Sequence, residues 1–445
     1  MDAREVALLT LHRCEKQGGW SEGTLKKQIQ LAKLDSRDAA LATQLCFGVL
    51  QQRLLLDFYL KQYSKTPLNR LDNRVLQALR LGLYQLLFLE RIPQHAAVDC
   101  SVNLTKRYSR NPKAAGMVNG ILRNIQRNLN QLPPIPEQPE VERLSIQYSH
   151  PVWLVKRLVA LLGMEEAEQA LTANNAPVPM TAMVNTTKAT MEETAQKLTE
   201  EGVEVTPHPW LENALILSKT GNLEELTAFQ QGLFYIQDPA SRLTAFVSGA
   251  KAGDRVLDTC AAPGGKSFAL AIQMKNQGEI LSCDLHPHKK QLIEKGADRL
   301  GLTIIQAVTQ DGTEMRADWQ KQFDVVLVDA PCSGLGVIRK KPEIRYKEEG
   351  ELSGLLPIQK TILEHASHYV KEGGVLVYST CTILPEENEQ MVEQFLKKHP
   401  DYQRESFVLP QPLGEIAQGQ LTFWSHRYGT DGFYVCKLRR RDVHG

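Results

Sequence analysis

Hydrophobic positions in residues 1–130 recur at helical spacing, and no stretch there alternates like a strand. The run from Val75 to Leu87 is too apolar for a surface helix and is expected at the centre of a bundle. Residues 114–127 are amphipathic, with Met117, Ile121, Leu122 and Ile125 apolar. The pattern predicts an all-α N-terminal bundle over 1–130. Four prolines in Gln131–Pro139 predict a stiff linker and a domain boundary over 131–140. From 141 to 240 the signals mix. Pro151–Leu162 and Met191–Gly202 read as helices, while Met180–Asn185, Val203–Val205 and Leu215–Leu217 read as short strands. A small α+β module follows.

From 241 to 445 strands and helices alternate. Strands are predicted at Arg255–Thr259, Glu279–Asp284, Thr303–Ala307, Phe323–Asp329 and Val375–Thr380, with helices at His286–Leu300 and Pro357–Lys371. This is the pattern of a doubly wound, Rossmann-like α/β sheet, whose chemistry lies at the C-terminal ends of its strands.

The length of 445 residues already requires more than one core. No apolar run reaches the length of a membrane span, and the N-terminus lacks a basic-then-apolar signal pattern, so the cytoplasm is the expected location. The net charge of +1 conceals an asymmetry: residues 1–140 carry 20 Lys/Arg against 12 Asp/Glu, the remainder 32 against 39. Between Asp99 and Glu137 there is no acid, whereas Lys106, Arg107, Arg110, Lys113, Arg123 and Arg127 fall there. A basic first domain on a mildly acidic body points to a polyanion partner. The eight cysteines form no C-x-x-C pair, which argues against a zinc knuckle or a thioredoxin-type site; no metal is expected.

Candidate chemistry lies in three loops after predicted strands. The first is Asp258-Thr259-Cys260-Ala261-Ala262-Pro263-Gly264-Gly265-Lys266. Gly264-Gly265 lets backbone approach a ligand at a helix N-terminus. Lys266-Ser267 suggests a P-loop, but the required earlier glycine is Cys260, and the dinucleotide glycine spacing is also missing. Asp284 closes the second strand, where an acid commonly binds ribose hydroxyls, and Asp311 follows the third. Singly, each Asp is as easily a turn residue. Together they suit an S-adenosylmethionine pocket, with Asp258 suited to a sulfonium.

The other two loops carry thiols: Asp329-Ala330-Pro331-Cys332-Ser333-Gly334 and Thr380-Cys381-Thr382. Cytosine C5 is a poor nucleophile until a thiolate adds at C6. That chemistry needs a nucleophilic cysteine, an acid near N3 and a base for the C5 proton. Asp329, Cys332 and Cys381 supply those residue types.

These loops, with Leu384-Pro385-Glu386-Glu387-Asn388, Gly336-Val337-Ile338-Arg339, Gln237–Ser241 and Asp431–Tyr434, resemble the RNA 5-methylcytosine methyltransferases of the NOL1/NOP2/Sun family. Ile92–Val98 and Ala115–Arg123 resemble the NusB-like RNA-binding domain. That fusion is typical of the branch that methylates a cytidine of bacterial 16S ribosomal RNA. Met183–Lys188 departs from the Arg-Val-Asn-Thr-Leu-Lys common in the family's middle module.

The resemblance implies that Cys381 is the nucleophile, that Cys332 assists breakdown of the adduct, and that Asp329 contacts the cytosine. It assigns Cys260, Ala261, Ala262, Pro263, Gly264, Gly265, Lys266, Asp284, Asp311 and Asp329 to S-adenosylmethionine. RNA contacts are expected from Lys106, Arg107, Arg110, Lys113, Arg123 and Arg339, and from the 141–240 module. The implied partner is 16S rRNA or an early small-subunit assembly intermediate. The rivals are a transfer RNA or DNA cytosine methyltransferase and a non-catalytic RNA-binding scaffold.

Overall fold

A computed structural model describes residues 1–17 and 21–442. Two compact units emerge. One contains Met1–Ala176 together with Ile338–Glu349; the other contains Pro177–Val337 and the chain from Gly350 onward.

The first unit is helical. Seven helices (Ala3–Gln17, Ser21–Ala32, Ser36–Gln51, Arg53–Tyr63, Asn73–Phe88, Gln94–Tyr108 and Ala114–Arg127) precede three more at Glu140–Gln147, Val152–Leu162 and Met164–Ala173. Asp35 and Asp72 start two of them by accepting the N–H groups of Asp38 and Arg74. The predicted central helix is Asn73–Phe88, in which every residue from Val75 to Gln85 is buried. Burial all round forces the one cation of that stretch, Arg80, to be paired: both oxygens of Asp57 accept from it at 2.8 Å.

The proline-rich segment lies inside this unit, and the division between units falls after Ala176. Residues 141–176 pack with the helices of this unit. The reason is hydrogen bonding. Ser149 Oγ accepts the Leu54 N–H at 2.8 Å, where the helix Arg53–Tyr63 begins and lacks a side-chain cap of its own. The segment Ile338–Glu349 completes the unit. Its Arg345 is fully buried and donates to the carbonyls of Gln51 (3.0 Å), Ser149 (3.2 Å) and Asn174 (3.4 Å) and to Asn175 Oδ1 (3.0 Å). Burial pushes this guanidinium down to about 10. The neighbouring Tyr346 donates to Leu50 O at 2.7 Å and lies under the Arg53 guanidinium.

The second unit begins with an antiparallel sheet of β1 (Met180–Val184), β2 (Glu204–Pro207), β3 (Ala214–Ser218) and β4 (Phe234–Ile236), ordered β2-β3-β1-β4. Its helix Met191–Glu200 starts with a capping box between Thr190 and Glu193.

The large sheet follows. Its strands are β5 (Arg255–Asp258), β6 (Glu279–Asp284), β7 (Ile305–Thr309), β8 (Phe323–Asp329) and β9 (Val370–Thr380). Then come β10 (Tyr402–Arg404), the β11–β12 pair (Phe407–Leu409 and Gly414–Ile416), β13 (Gln420–Phe423) and β14 (Phe433–Arg440). The order is β10-β14-β9-β8-β5-β6-β7, with β13 pairing to β14. From β9 to β7 the strands are parallel, whereas β14 runs antiparallel to β9. The chain reverses between β8 and β5, so their C-terminal ends border the crevice where such sheets bind ligands.

In the large sheet the structure departs furthest from the pattern at its later strands. Strand β7 starts two residues later than predicted, because Asn276 binds Gly301 O, Thr303 Oγ1 and the Ile304 N–H and holds these residues in the turn. The helix before β9 spans Leu355–Tyr369, and β9 begins at Val370, which already pairs with Phe323. The strands after β9 were not predicted. Among the described residues, no single helix is long and apolar enough to cross a membrane.

Candidate active site

Strand β5 delivers Asp258 into the centre of the sheet, where its side chain is fully buried. Its Oδ2 accepts from Ser267 Oγ at 2.7 Å, and that hydroxyl accepts from Ser282 Oγ on β6 at 2.7 Å. Its Oδ1 receives no well-formed hydrogen bond, although the Cys260 N–H acts electrostatically on the carboxyl. Burial, reinforced by the nearby Asp329, raises this carboxyl to about 7 against an ordinary 3.8. The loop then turns through Gly264 at φ +112°, where a Cβ would lie 2.4 Å from the Phe268 ring. Gly265 opens the helix Gly265–Gln273, so its first amides face the strand ends. A buried carboxylate oxygen without a strong donor, beside the amides of a helix N-terminus, fits a cationic ligand with polar appendages.

The acids of the neighbouring strands are partly engaged. Asp284, buried at the end of β6, accepts the His286 N–H at 3.2 Å and lies 3.6 Å from Lys289 Nζ. Asp311 Oδ1 accepts both the N–H and the hydroxyl of Thr313, which hold its carboxyl below the usual range. It therefore shapes its own turn. The charges of Asp258, Asp329 and Asp284 all act on Cys260, so these groups share one region; burial foremost pushes the Cys260 thiol up to about 12 and keeps it protonated.

Asp329 ends β8. Lys266 Nζ donates to its Oδ2 at 2.7 Å and Ser379 Oγ, from β9, to its Oδ1 at 2.9 Å. Burial opposes the Lys266 charge, but Asp329 outweighs it, and the ammonium is held above its ordinary value. Three residues further, Cys332 Sγ stands 3.1 Å from Cys381 Sγ, and both thiols are half-buried. The adjacent Cys381 and burial raise the Cys332 thiol well above 9, with the charges of Glu387 and Asp329 acting the same way.

The predicted donor loop, Asp329, Cys332 and Cys381 thus come together. The Lys266–Asp329 pair was not foreseen, because 63 residues separate the partners. Nor was the position of Glu387, whose carboxylate binds Ser333 between the two thiol loops. Its only sequence signal was membership of the Leu384–Asn388 motif. The basic candidates divide. Lys106, Arg110 and Lys113 are exposed, while Arg107 pairs with Glu5 at 2.9 Å and Arg123 with Asp99 at 2.8 Å. Arg339 is half-buried, in the segment that belongs to the helical unit. Among the described residues no group of three or more His, Cys, Asp and Glu could hold a metal ion.

Comparison with known proteins gives three successive matches along the chain. Residues 1–127 match the NusB family. Residues 150–224 match the ferredoxin-like domain of RsmF/B-like methyltransferases, and residues 246–439 match 16S rRNA methyltransferase RsmB/F. The "Probable ribosomal RNA small subunit methyltransferase B" of Bacillus subtilis (strain 168) is 40% identical over 98% of both chains. The ribosomal RNA small subunit methyltransferase B of Vibrio cholerae is 33% identical over 99% of this chain and 98% of its own. The crystal structure of PH0851 superimposes with a TM-score of 0.83 at 27% identity, over 99% of each chain. With whole-length likeness to these proteins and a matching domain series, the chain belongs to the RsmB/F family of 16S rRNA methyltransferases.

Proposed function

We propose that the protein methylates C5 of a cytidine in 16S rRNA through a transient bond between Cys381 and C6 of the base. The observation that carries this reading is the pair of thiols 3.1 Å apart at the ends of β8 and β9, beside the Lys266–Asp329 ion pair. A methyltransferase acting on oxygen or on an exocyclic nitrogen needs no such pair.

The donor would be held by residues 260–266, with Asp284 at its ribose and Asp258 towards its positive charge. Asp311, turned into its own loop, contributes less directly. When bound, S-adenosylmethionine supplies an electrophilic methyl group. The Cys381 thiolate forms a bond to C6, and the electron pair of the C5–C6 double bond moves so that C5 becomes nucleophilic. Asp329, fixed by Lys266 and Ser379, meets the N3 edge of the base. After C5 has gained its methyl group solvent water takes its proton, the C–H electron pair restores the C5–C6 double bond, the S–C6 bond breaks, and the Cys381 thiolate returns. Cys332, which holds its proton over the neutral range, stands where that bond breaks and assists release.

A base can enter such a site only when turned out of its stack. The exposed Lys106, Arg110 and Lys113 of the helical unit suit contacts to RNA phosphates.

The test is incubation with methyl-labelled S-adenosylmethionine and unmodified 16S rRNA, in parallel with transfer RNA and duplex DNA, followed by nucleoside identification. Label as 5-methylcytidine in 16S rRNA alone is expected. Label in transfer RNA or DNA overturns the substrate, and no label anywhere leaves an RNA-binding scaffold. Cys381→Ala should abolish turnover and adduct, while Cys332→Ala should trap a protein–RNA adduct that survives denaturation. The opposite pattern would reverse the two roles.

A further inference from the structure

Glu387 is 1% exposed, has no cation at its carboxylate among the described hydrogen bonds and ion pairs, and belongs to none of the steps above. Its Oε1 accepts the Ser333 N–H at 2.9 Å and Gln359 Nε2 at 2.8 Å, and its Oε2 accepts the Ser333 hydroxyl at 2.5 Å. Ser333 adjoins Cys332. Its hydroxyl also lies 2.7 Å from Thr382 Oγ1, and Thr382 adjoins Cys381. The same Gln359 amide donates to Pro331 O at 3.0 Å, on the other side of Cys332. The backbone of Glu387 is fixed as well, because Tyr378 OH, on β9, donates to its carbonyl at 2.8 Å. Asn388 completes the frame, accepting from Thr380 Oγ1 at 2.5 Å and donating to Thr382 O at 3.1 Å. The residues flanking each thiol are therefore tied to one pair of adjacent side chains.

Burying a carboxylate is costly unless its oxygens are satisfied, and here three donors satisfy it at once. Packing alone would be served as well by an apolar residue. What the charged group adds is short, directional bonds to the amide and hydroxyl next to Cys332. We propose that Glu387 is a positioning residue that sets the separation of Cys332 from Cys381, and through it the rate at which the covalent RNA adduct is released. Its charge also helps Cys332 to remain a thiol, the form able to donate a hydrogen bond to the departing Cys381 thiolate.

The release half of this inference rests on the proposed cytosine-C5 mechanism; the spacing half does not, and the test separates them. The full-length protein, Glu387→Gln, Glu387→Ala and Ser333→Ala are treated with diamide, which takes two hydrogens from two thiols as the disulfide forms. Cross-linking of Cys332 to Cys381 is followed by peptide mapping. The native protein should cross-link fastest, Glu387→Ala at least tenfold more slowly, and the other two variants in between. In the labelled-RNA assay Glu387→Ala should retain single-turnover methyl transfer and donor affinity within about twofold. Its steady turnover should fall at least tenfold, with adduct accumulating. Equal cross-linking rates in native protein and Glu387→Ala, or a native protein that does not cross-link, would overturn the positioning role. Should Glu387→Ala lose transfer and donor affinity together, its role is merely structural, and Ser333→Ala, which keeps the carboxylate, would then cross-link at the native rate. If Cys332→Ala traps adduct and Glu387→Ala does not, the release role alone fails; if neither traps it, the covalent mechanism fails.

Discussion

Replacing Asp258 by Asn should remove a pH dependence from the large sheet. The native carboxyl is held to about 7, against an ordinary 3.8, chiefly because it is buried. Between those values the unfolded chain releases its proton while the folded chain keeps it. The folded state then binds more protons, so its stability falls as pH rises through the window and levels off above pH 7. At about 1.4 kcal/mol per unit, the whole displacement is on the order of 4 kcal/mol, of which roughly 3 kcal/mol falls between pH 4.5 and 8. Asn keeps an oxygen for Ser267 and does not ionise. The assay is amide hydrogen exchange on peptides from β5 and β8, corrected for the intrinsic rate at each pH, in both proteins. Titrating groups remote from Asp258 cancel in the difference, so native stability relative to the variant should drop by about that amount. A difference constant to within about 1 kcal/mol would mean that Asp258 ionises normally in the folded protein, and the burial argument would be wrong.

Three further outcomes follow from the same structure. Donor binding should release up to about one proton near pH 6.5, measured by calorimetry in two buffers of different ionisation enthalpy, because a cation beside Asp258 favours its charged form; no buffer dependence would refute this. Gly336→Ala would place a Cβ 1.8 Å from Gly432 O and 2.9 Å from Cys381 O, so turnover should fall more than tenfold while donor affinity stays within about twofold. Arg345→Met leaves the carbonyls of Gln51, Ser149 and Asn174 short of a donor, and should destabilise the helical unit by roughly 2–4 kcal/mol. Hydrogen exchange should report that loss in Ser36–Gln51 and Glu140–Gln147 and not in β5 to β8.

Local signals carried much of the site. The turn through Gly264, the acids closing β5 and β6, and the thiols after β8 and β9 each follow an apolar run that the sequence alone marks as a buried strand. Proximity across the chain was not local. Nothing near Cys332 says that a thiol 49 residues away approaches to 3.1 Å, or that Glu387 joins the two loops. Asp311 exposes a different limit, since an acid before Gly-Thr reads equally as a ligand contact and as a turn residue, and its bonds to Thr313 give it the second role. The strands after β9 escaped notice because β10 to β13 have only three or four residues each, too few for a period to register. β14 is buried on both faces over most of its length and does not alternate. The segment from Lys340 to Glu349 carries seven charges in ten positions, a composition that gives no sign of burial. A fully buried arginine within it runs against the ordinary preference of that residue.

That last segment has a consequence for synthesis. The helical unit has all its helices once Ala176 has been translated, yet Arg345 and Tyr346, which bind its inner carbonyls, follow only with residues 338–349. At ordinary elongation rates the gap lasts roughly ten to thirty seconds. Throughout it the carbonyls of Gln51, Ser149 and Asn174 await their donor, so the first unit to leave the ribosome is completed only after a large part of the second has been made. No single cut in the gene separates the two units either. A fragment ending at Ala176 lacks its anchor, and one that begins after the helices carries an arginine without its seat.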